Sequence, residues 1–201
     1  MPDKRHIEGY AIVSDDGMLA NSLGVMPDSL SFKADHDFFM RGLDGVDLVV
    51  QGRHSHEHQP KSALRPRLIL TRKQHALARD SVDAKAMLWN PAGASFEEAL
   101  AALGPPNNRI GIIGGTECFG LFLDRYDVFF LSRAPGVRLP NGRPVFPGVP
   151  EKTPEEVMAG HGLRAAERRV LDANHDIAVT AWRRGLPSPE GMPRPRGLPS
   201  Q

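Results

Sequence analysis

Short apolar runs separated by longer mixed segments dominate the chain. Residues 9–13 (GYAIV), 46–51 (VDLVVQ), 67–71 (RLILT), 109–113 (RIGII) and 127–131 (DVFFL) are rich in Val, Ile, Leu or aromatic residues. Each is too short for an ordinary helix and predicts a strand, and 86–89 (AMLW) is a weaker instance. Their apolar character is continuous, which places them in a sheet covered on both faces. Helical patterns fall between them. In 35–43 (DHDFFMRGL), Asp35 stands where an N-cap belongs, and Phe39 and Leu43 lie one turn apart beside Phe38. In 95–103 (SFEEALAAL), Ser95 and Glu98 have capping-box spacing, and Phe96, Ala99, Leu100 and Leu103 form the apolar face. A further helix over 117–123 follows a Gly-Gly turn. This alternation predicts an α/β fold with a largely parallel sheet. Near the end, 162–171 (GLRAAERRVL) and 177–182 (IAVTAW) flank the turn-like cluster DANHD and predict a closing antiparallel hairpin. Helix is the alternative for 162–171, because that segment is rich in Ala and Arg.

Composition narrows the class. The 201 residues carry a formal charge of +1, which argues against a nucleic-acid or acidic-membrane partner. No apolar run approaches the ~18 residues that span a bilayer. The first residues are charged and have no long apolar stretch, so no signal peptide is expected. Cys118 is the one cysteine; it excludes an internal disulfide and suits a reducing, cytoplasmic compartment. The 20 glycines and 18 prolines are an excess, but five of the prolines lie in 185–201. That tail has no apolar periodicity and is expected to be disordered. The expected organisation is one domain over 1–184 and a Pro-rich tail over 185–201.

Several segments could carry chemistry. Gly52-Arg53-His54-Ser55 follows the second strand, where backbone amides with an Arg and a Ser suit a phosphate. Leu70-Thr71-Arg72-Lys73 ends the third strand, at the edge where open α/β sheets bind ligands. Ile113-Gly114-Gly115-Thr116-Glu117 places paired glycines between strand and helix, letting a pyrophosphate approach the backbone. The histidines of His54-Ser55-His56-Glu57-His58 lack the H-E-x-x-H spacing and read as surface residues, so no metal is expected. Asp35 beside apolar surface would have a raised pKa and could manage a proton near neutral pH, or it could be an N-cap alone.

In this order, the strand 9–13, the DDGMLA loop, the acid-led aromatic helix, VVQGRHSHE, LILTRK, IIGGTECFGLFL, DVFFLSR and NGRPVFPG resemble the dihydrofolate reductase family. The resemblance runs from about Ile7 to Trp182. The stretch Ser14-Asp15-Asp16-Gly17-Met18-Leu19-Ala20 is equally similar to the S-x-D-G-x-x-A of the riboflavin-biosynthesis reductases in the same superfamily.

The resemblance implies a three-layer α/β/α fold with an eight-stranded, mostly parallel mixed sheet and a C-terminal antiparallel hairpin. It implies an NADPH-dependent reductase that transfers a hydride to a small heterocycle. Arg53, His54 and Ser55, with Gly52, would hold the pyrophosphate and adenosine side. Thr71, Arg72 and Lys73, after Leu70, would take the 2′-phosphate. Ile113, Gly114, Gly115, Thr116 and Glu117 would border the cofactor, with Ala11, Ile12, Leu19 and Ala20 near the nicotinamide. Asp35 matches the family's acid, with Asp37 as the alternative. Asp28, Phe39 and Arg65 fall on the substrate side, Arg65 where the family clamps a folate glutamate tail. Two departures stand out. Asp28 follows Met26-Pro27 where the family has Trp. Pro144 occupies the place, two residues before Phe146-Pro147, where the resemblance puts a Thr that bonds the acid. The substrate therefore stays open between dihydrofolate or another pterin and a ribosylamino-pyrimidine, and an NADPH-binding protein without turnover is a third reading. The expected state is a monomer or homodimer.

Overall fold

A twisted sheet of nine strands forms the middle layer of the computed structural model, which describes residues 5–53, 55 and 64–185. In chain order the strands and helices are β1 (His6–Val13), β2 (Met18–Ala20), α1 (Lys33–Leu43), β3 (Leu48–Gly52), β4 (Arg67–Leu70), β5 (Leu77–Arg79), β6 (Ala86–Trp89), α2 (Phe96–Leu103), β7 (Arg109–Ile112), α3 (Thr116–Leu121), β8 (Val128–Arg133), β9 (Arg143–Pro144), α4 (Pro154–Gly160), β10 (Leu163–Asp172) and β11 (Ile177–Arg184). The sheet order is β10-β11-β8-β1-β7-β3-β4-β6-β5, and β2 and β9 pair separately. Strands β8, β1, β7, β3, β4 and β6 are mutually parallel. The hairpin β10–β11 and the edge strand β5 add antiparallel pairs at either side.

Every strand expected from the apolar runs is present. The segment 162–171 is a strand, not a helix, because its Ala and Arg residues pair across the hairpin with β11. The sheet has nine strands where eight were expected. The short strands β2, β5 and β9 have no apolar run of their own and form only because a neighbour supplies the partner. Helix α4 was not anticipated, although Thr153 and Glu156 form a capping box like that of Ser95 and Glu98 on α2. Helix α1 starts at Lys33, with Phe32 at the N-cap position and no side-chain cap, so Asp35 lies in the first turn and is not the cap. The tail at 186–201 and the histidines 54, 56 and 58 lie outside the described residues.

Two faces of the sheet are covered for different reasons. On one, the rings of Phe38 and Phe39 from α1 meet Tyr10 of β1, which stacks at 5.0 Å on Phe130 of β8. On the other, Phe119, Phe129 and Phe146 pack together, as do Trp89, Phe96 and Phe122. Burying one such ring contributes roughly 1.5–3 kcal/mol. Neighbours along β1 therefore serve opposite cores, which is why its sequence does not alternate. Residue 9 must be small, since a Cβ there would stand 2.4 Å from the Phe129 ring. Arg184 closes the fold by donating to the carbonyls of Tyr126, Leu123 and His161.

Gly42 sets how closely α1 approaches the sheet. A Cβ on it would lie 2.4 Å from the Tyr10 hydroxyl, which donates to Glu8 at 3.0 Å. Gly42→Ala should therefore destabilise the protein by about 1–3 kcal/mol through overpacking, although alanine at a helical position normally helps. In the Tyr10→Leu background the penalty should shrink, because the ring carbons at 2.5 and 2.6 Å go with the hydroxyl. Urea unfolding of the two single variants and the double variant measures this.

Candidate active site

The parallel strands bring their carboxyl ends to one edge. There β3 ends at Gly52 and β7 runs into Gly114-Gly115. The Gly52 amide donates to the Gly114 carbonyl at 2.6 Å. A Cβ on Gly52 would stand 3.3 Å from the Gly115 amide nitrogen, so a side chain would push the two segments apart. Gly114 has a φ of +119°, a conformation that L side chains rarely adopt, and the Gly114–Gly115 peptide is cis. The Ser55 hydroxyl lies beside all three glycines, 3.6–3.8 Å from where their Cβ atoms would be. Two motifs some sixty residues apart in sequence thus form one surface of bare backbone, with Arg53 partly exposed at its rim.

One strand further out, Thr71 is buried at the end of β4. Its hydroxyl accepts the Lys73 amide at 3.1 Å, which turns the chain so that Arg72 and Lys73 project into solvent. Asn90 braces this turn. Its side chain donates to the Gln74 carbonyl and its amide to the Ala76 carbonyl, both at 2.8 Å. Neither Arg72 nor Lys73 has an ion-pair partner among the described residues. Asn90 was not singled out from sequence, though an Asn directly after an apolar strand is a turn signal.

Asp35 reaches the same edge from above. Its carboxyl hydrogen-bonds the side chain of Ser132 on β8, a residue 2% exposed that sits in register with Ile12 of β1. Burial pushes Asp35 above the ordinary carboxylate range, and the Ser132 bond and nearby His36 only partly oppose this. The alternative acid is different. Asp37 pairs with Lys33 at 2.6 Å on the outer side of α1, and that bond outweighs burial to hold its carboxyl below the usual range. The structure also revises the missing hydroxyl. Pro144 carries none, but Ser132 supplies one from a different strand. A lone Ser in the apolar run FFLSR was the available signal.

Other expected contacts are placed less directly. Ala11 and Leu19 are partly exposed near the edge, while Ile12 is closed off against Leu30, Ala134 and Ile177. Ala20 is buried. The Thr116 hydroxyl is engaged, donating to the Pro144 carbonyl. Glu117 is exposed in the first turn of α3, and Ile113 and Leu70 are partly covered. Phe39 packs on Tyr10 at 5.9 Å, and Asp28 is exposed in a 3-10 turn. Arg65 is not brought to this edge. It precedes β4 where Thr71 follows it, and its guanidinium, 9% exposed, bonds Asp44 at 2.8 Å. Cys118 is buried, and burial pushes its thiol far up. No group of three potential metal ligands occurs among the described residues, and no helix there is long and apolar enough to cross a membrane.

The architecture has known counterparts. A riboflavin biosynthesis protein from Shewanella sp. PV-4 superposes with a TM-score of 0.63 at 18% identity, covering 90% of this chain and 99% of that one. A diaminohydroxyphosphoribosylaminopyrimidine deaminase/5-amino-6-(5-phosphoribosylamino)uracil reductase from Thermotoga maritima gives 0.62 at 16% identity, over 90% of this chain and 57% of that one. Dihydrofolate reductase from Enterococcus faecalis, complexed with NADP(H) and RAB-propyl, gives 0.62 at 16% identity, over 90% and 96%. The chain has the dihydrofolate reductase fold. No family model and no curated protein sequence matches it. At these identities the dihydrofolate reductase-like neighbours establish the architecture and not the reaction.

The raised pKa of Asp35 makes it a stability probe. A carboxyl raised on folding contributes stability that is fully present below its unfolded pKa and lost as pH rises through the folded value. Asp35→Asn has no such loss. Its unfolding midpoint should therefore match the wild type near pH 4, exceed it as pH rises, and stay above it by a constant margin once the wild-type carboxyl has ionised. A difference already constant from pH 4 upward would place the Asp35 carboxyl in solvent.

Proposed function

We propose that the protein is an NADPH-dependent reductase that delivers a hydride to a C=N or C=O bond of a small heterocycle, with Asp35 as the acid that manages the accompanying proton. One observation carries this reading. Backbone at Gly52, Gly114 and Gly115, the cations Arg72 and Lys73, and a buried carboxyl on Ser132 all lie along one edge of a single sheet.

Each part has a chemical task. The Gly115 backbone and the Ser55 hydroxyl, with Arg53, suit a pyrophosphate. Arg72 and Lys73 on the Thr71 turn suit a 2′-phosphate and so favour NADPH over NADH. The cofactor supplies the hydride, and the protein orients it and provides the proton. A carboxyl whose pKa burial raises holds its proton more readily than an ordinary one and can donate to a ring nitrogen as the hydride arrives at the adjacent carbon. The buried Ser132 hydroxyl beside it is placed to orient that carboxyl.

The substrate reading shifts within the two classes. A folate carries an anionic glutamate tail, and the arginine expected to clamp it is bonded to Asp44 at 2.8 Å. That pairing favours a pyrimidine of the ribosylamino type or a pterin without the tail over dihydrofolate. Expected partners are this small molecule and the cofactor, in a monomer or homodimer.

Three measurements test this. NADPH absorbance should fall with a ribosylamino-pyrimidinone or a simple dihydropterin and respond less to dihydrofolate. Binding of NADPH with no oxidation across the panel would leave a non-catalytic nucleotide-binding protein. Asp35→Asn should lose turnover by about 100-fold or more while NADPH affinity stays within about twofold. Arg72→Ala should weaken NADPH by about tenfold and NADH hardly at all. Equal losses for the two nucleotides would remove the 2′-phosphate assignment.

A further inference from the structure

The turn after β1 is fastened more heavily than a surface turn requires. Ser14, fully buried, donates its hydroxyl to Asp16 at 2.6 Å and accepts the Met18 amide at 3.0 Å. Both Asp16 carboxylate oxygens accept the Leu139 amide at 3.1 Å. Asp15 accepts the Gly136 amide at 2.9 Å and donates its own amide to Val137 at 2.7 Å. Arg133 donates to the carbonyls of Ser14 and Asp15, and its guanidinium forms two 2.6 Å bonds to Glu155 of α4. Gly17 has a φ of +80°, and a Cβ on it would meet Val149 at 2.8 Å.

This fastening continues into the ribbon formed by β2 and β9. The Val145 amide donates to the Gly17 carbonyl at 3.0 Å, Met18 pairs with Pro144, and Ala20 pairs with Arg143. Gly142 lets the strands close, because a Cβ there would lie 2.5 Å from the Ala20 carbonyl oxygen. Opposite Met18, the Pro144 carbonyl accepts the Thr116 hydroxyl, one residue beyond Gly115. The ribbon is therefore tied through the same end to the end of β1 and to the Gly114-Gly115 turn. Leu19, expected near the nicotinamide, lies on it.

We propose that Asp16 is a positioning residue that holds this ribbon as a fixed wall for the nicotinamide half of the cofactor, acting through Ser14 and Leu139 without touching the ligand. The inference rests on the NADPH reading above. An ionised carboxylate is the right group for this place, since it only accepts, and it faces a hydroxyl and an amide that both donate. Burial alone would raise Asp16, but the Ser14 hydroxyl, the Leu139 amide and nearby Arg138 together hold it below the usual range. Asparagine would turn a donor toward one of these partners.

The test compares NADPH with 2′-phospho-ADP-ribose, which keeps the phosphates and adenosine and lacks the nicotinamide. Calorimetric titration of wild type and Asp16→Asn should show NADPH weakened about tenfold. The truncated nucleotide should change by less than about twofold. Amide hydrogen exchange should quicken at Met18 and Leu139 and stay unchanged in β10 and β11. Equal change for both nucleotides, or none for either, overturns the proposal. If Asp16→Asn does not fold, Ser14→Ala gives the same comparison, because it removes the hydroxyl and keeps the carboxylate. A wild-type protein that binds the truncated nucleotide no less tightly than NADPH overturns the positioning role alone. One that binds neither overturns the cofactor reading and this inference with it.

Discussion

The contact between the end of β3 and the turn after β7 is the constraint on which the rest depends. The Gly52 amide reaches the Gly114 carbonyl at 2.6 Å, an approach helped by the lack of a side chain on Gly52, whose Cβ would stand 3.3 Å from the Gly115 amide nitrogen. That contact brings two stretches of glycine backbone together. It also fixes where α3 starts, and hence where Thr116 meets Pro144. A larger residue at either place would separate the strands' carboxyl ends while leaving their pairing intact. The edge would then lose its surface without losing its fold.

The acid depends on a second constraint. Asp35 is held above the sheet by α1, whose approach is set by Gly42 over Tyr10. The helix comes close enough to bury the carboxyl against Ser132 and to separate it from Asp37 two residues later. Two aspartates on one helical turn thereby acquire opposite pKa shifts. One is desolvated against the sheet and the other is paired with Lys33 in solvent. The aromatic packing that stabilises this face is thus also what tunes the site.

Much was legible in the chain itself. The long apolar runs marked the parallel strands, because a strand covered on both faces must be apolar throughout. The Ser95–Glu98 box marked α2 to the residue. The glycine pairs and the basic turn at Thr71 marked the edge, since their chemistry resides in the local backbone and in charges that need no partner. The same reading left Asp35 open between an N-cap and the site acid, saw the hydroxyl lost at Pro144, and missed Ser132.

What was left open or missed shares a cause. Local sequence determined which segments form strands and helices, where backbone is left bare and where cations project, because those properties act over a few residues. Only the tertiary structure decided which segments meet. Ser132 lies about a hundred residues from Asp35, yet stands beneath it because β8 pairs with β1. Arg65 is withdrawn from the edge because α1 ends beside it and offers Asp44. β5 and the β2–β9 ribbon exist because neighbouring backbone supplies hydrogen bonds that segments of two or three residues could not secure alone. Pairing across such separations follows from sheet order and helix packing, and no local pattern in the sequence encodes it.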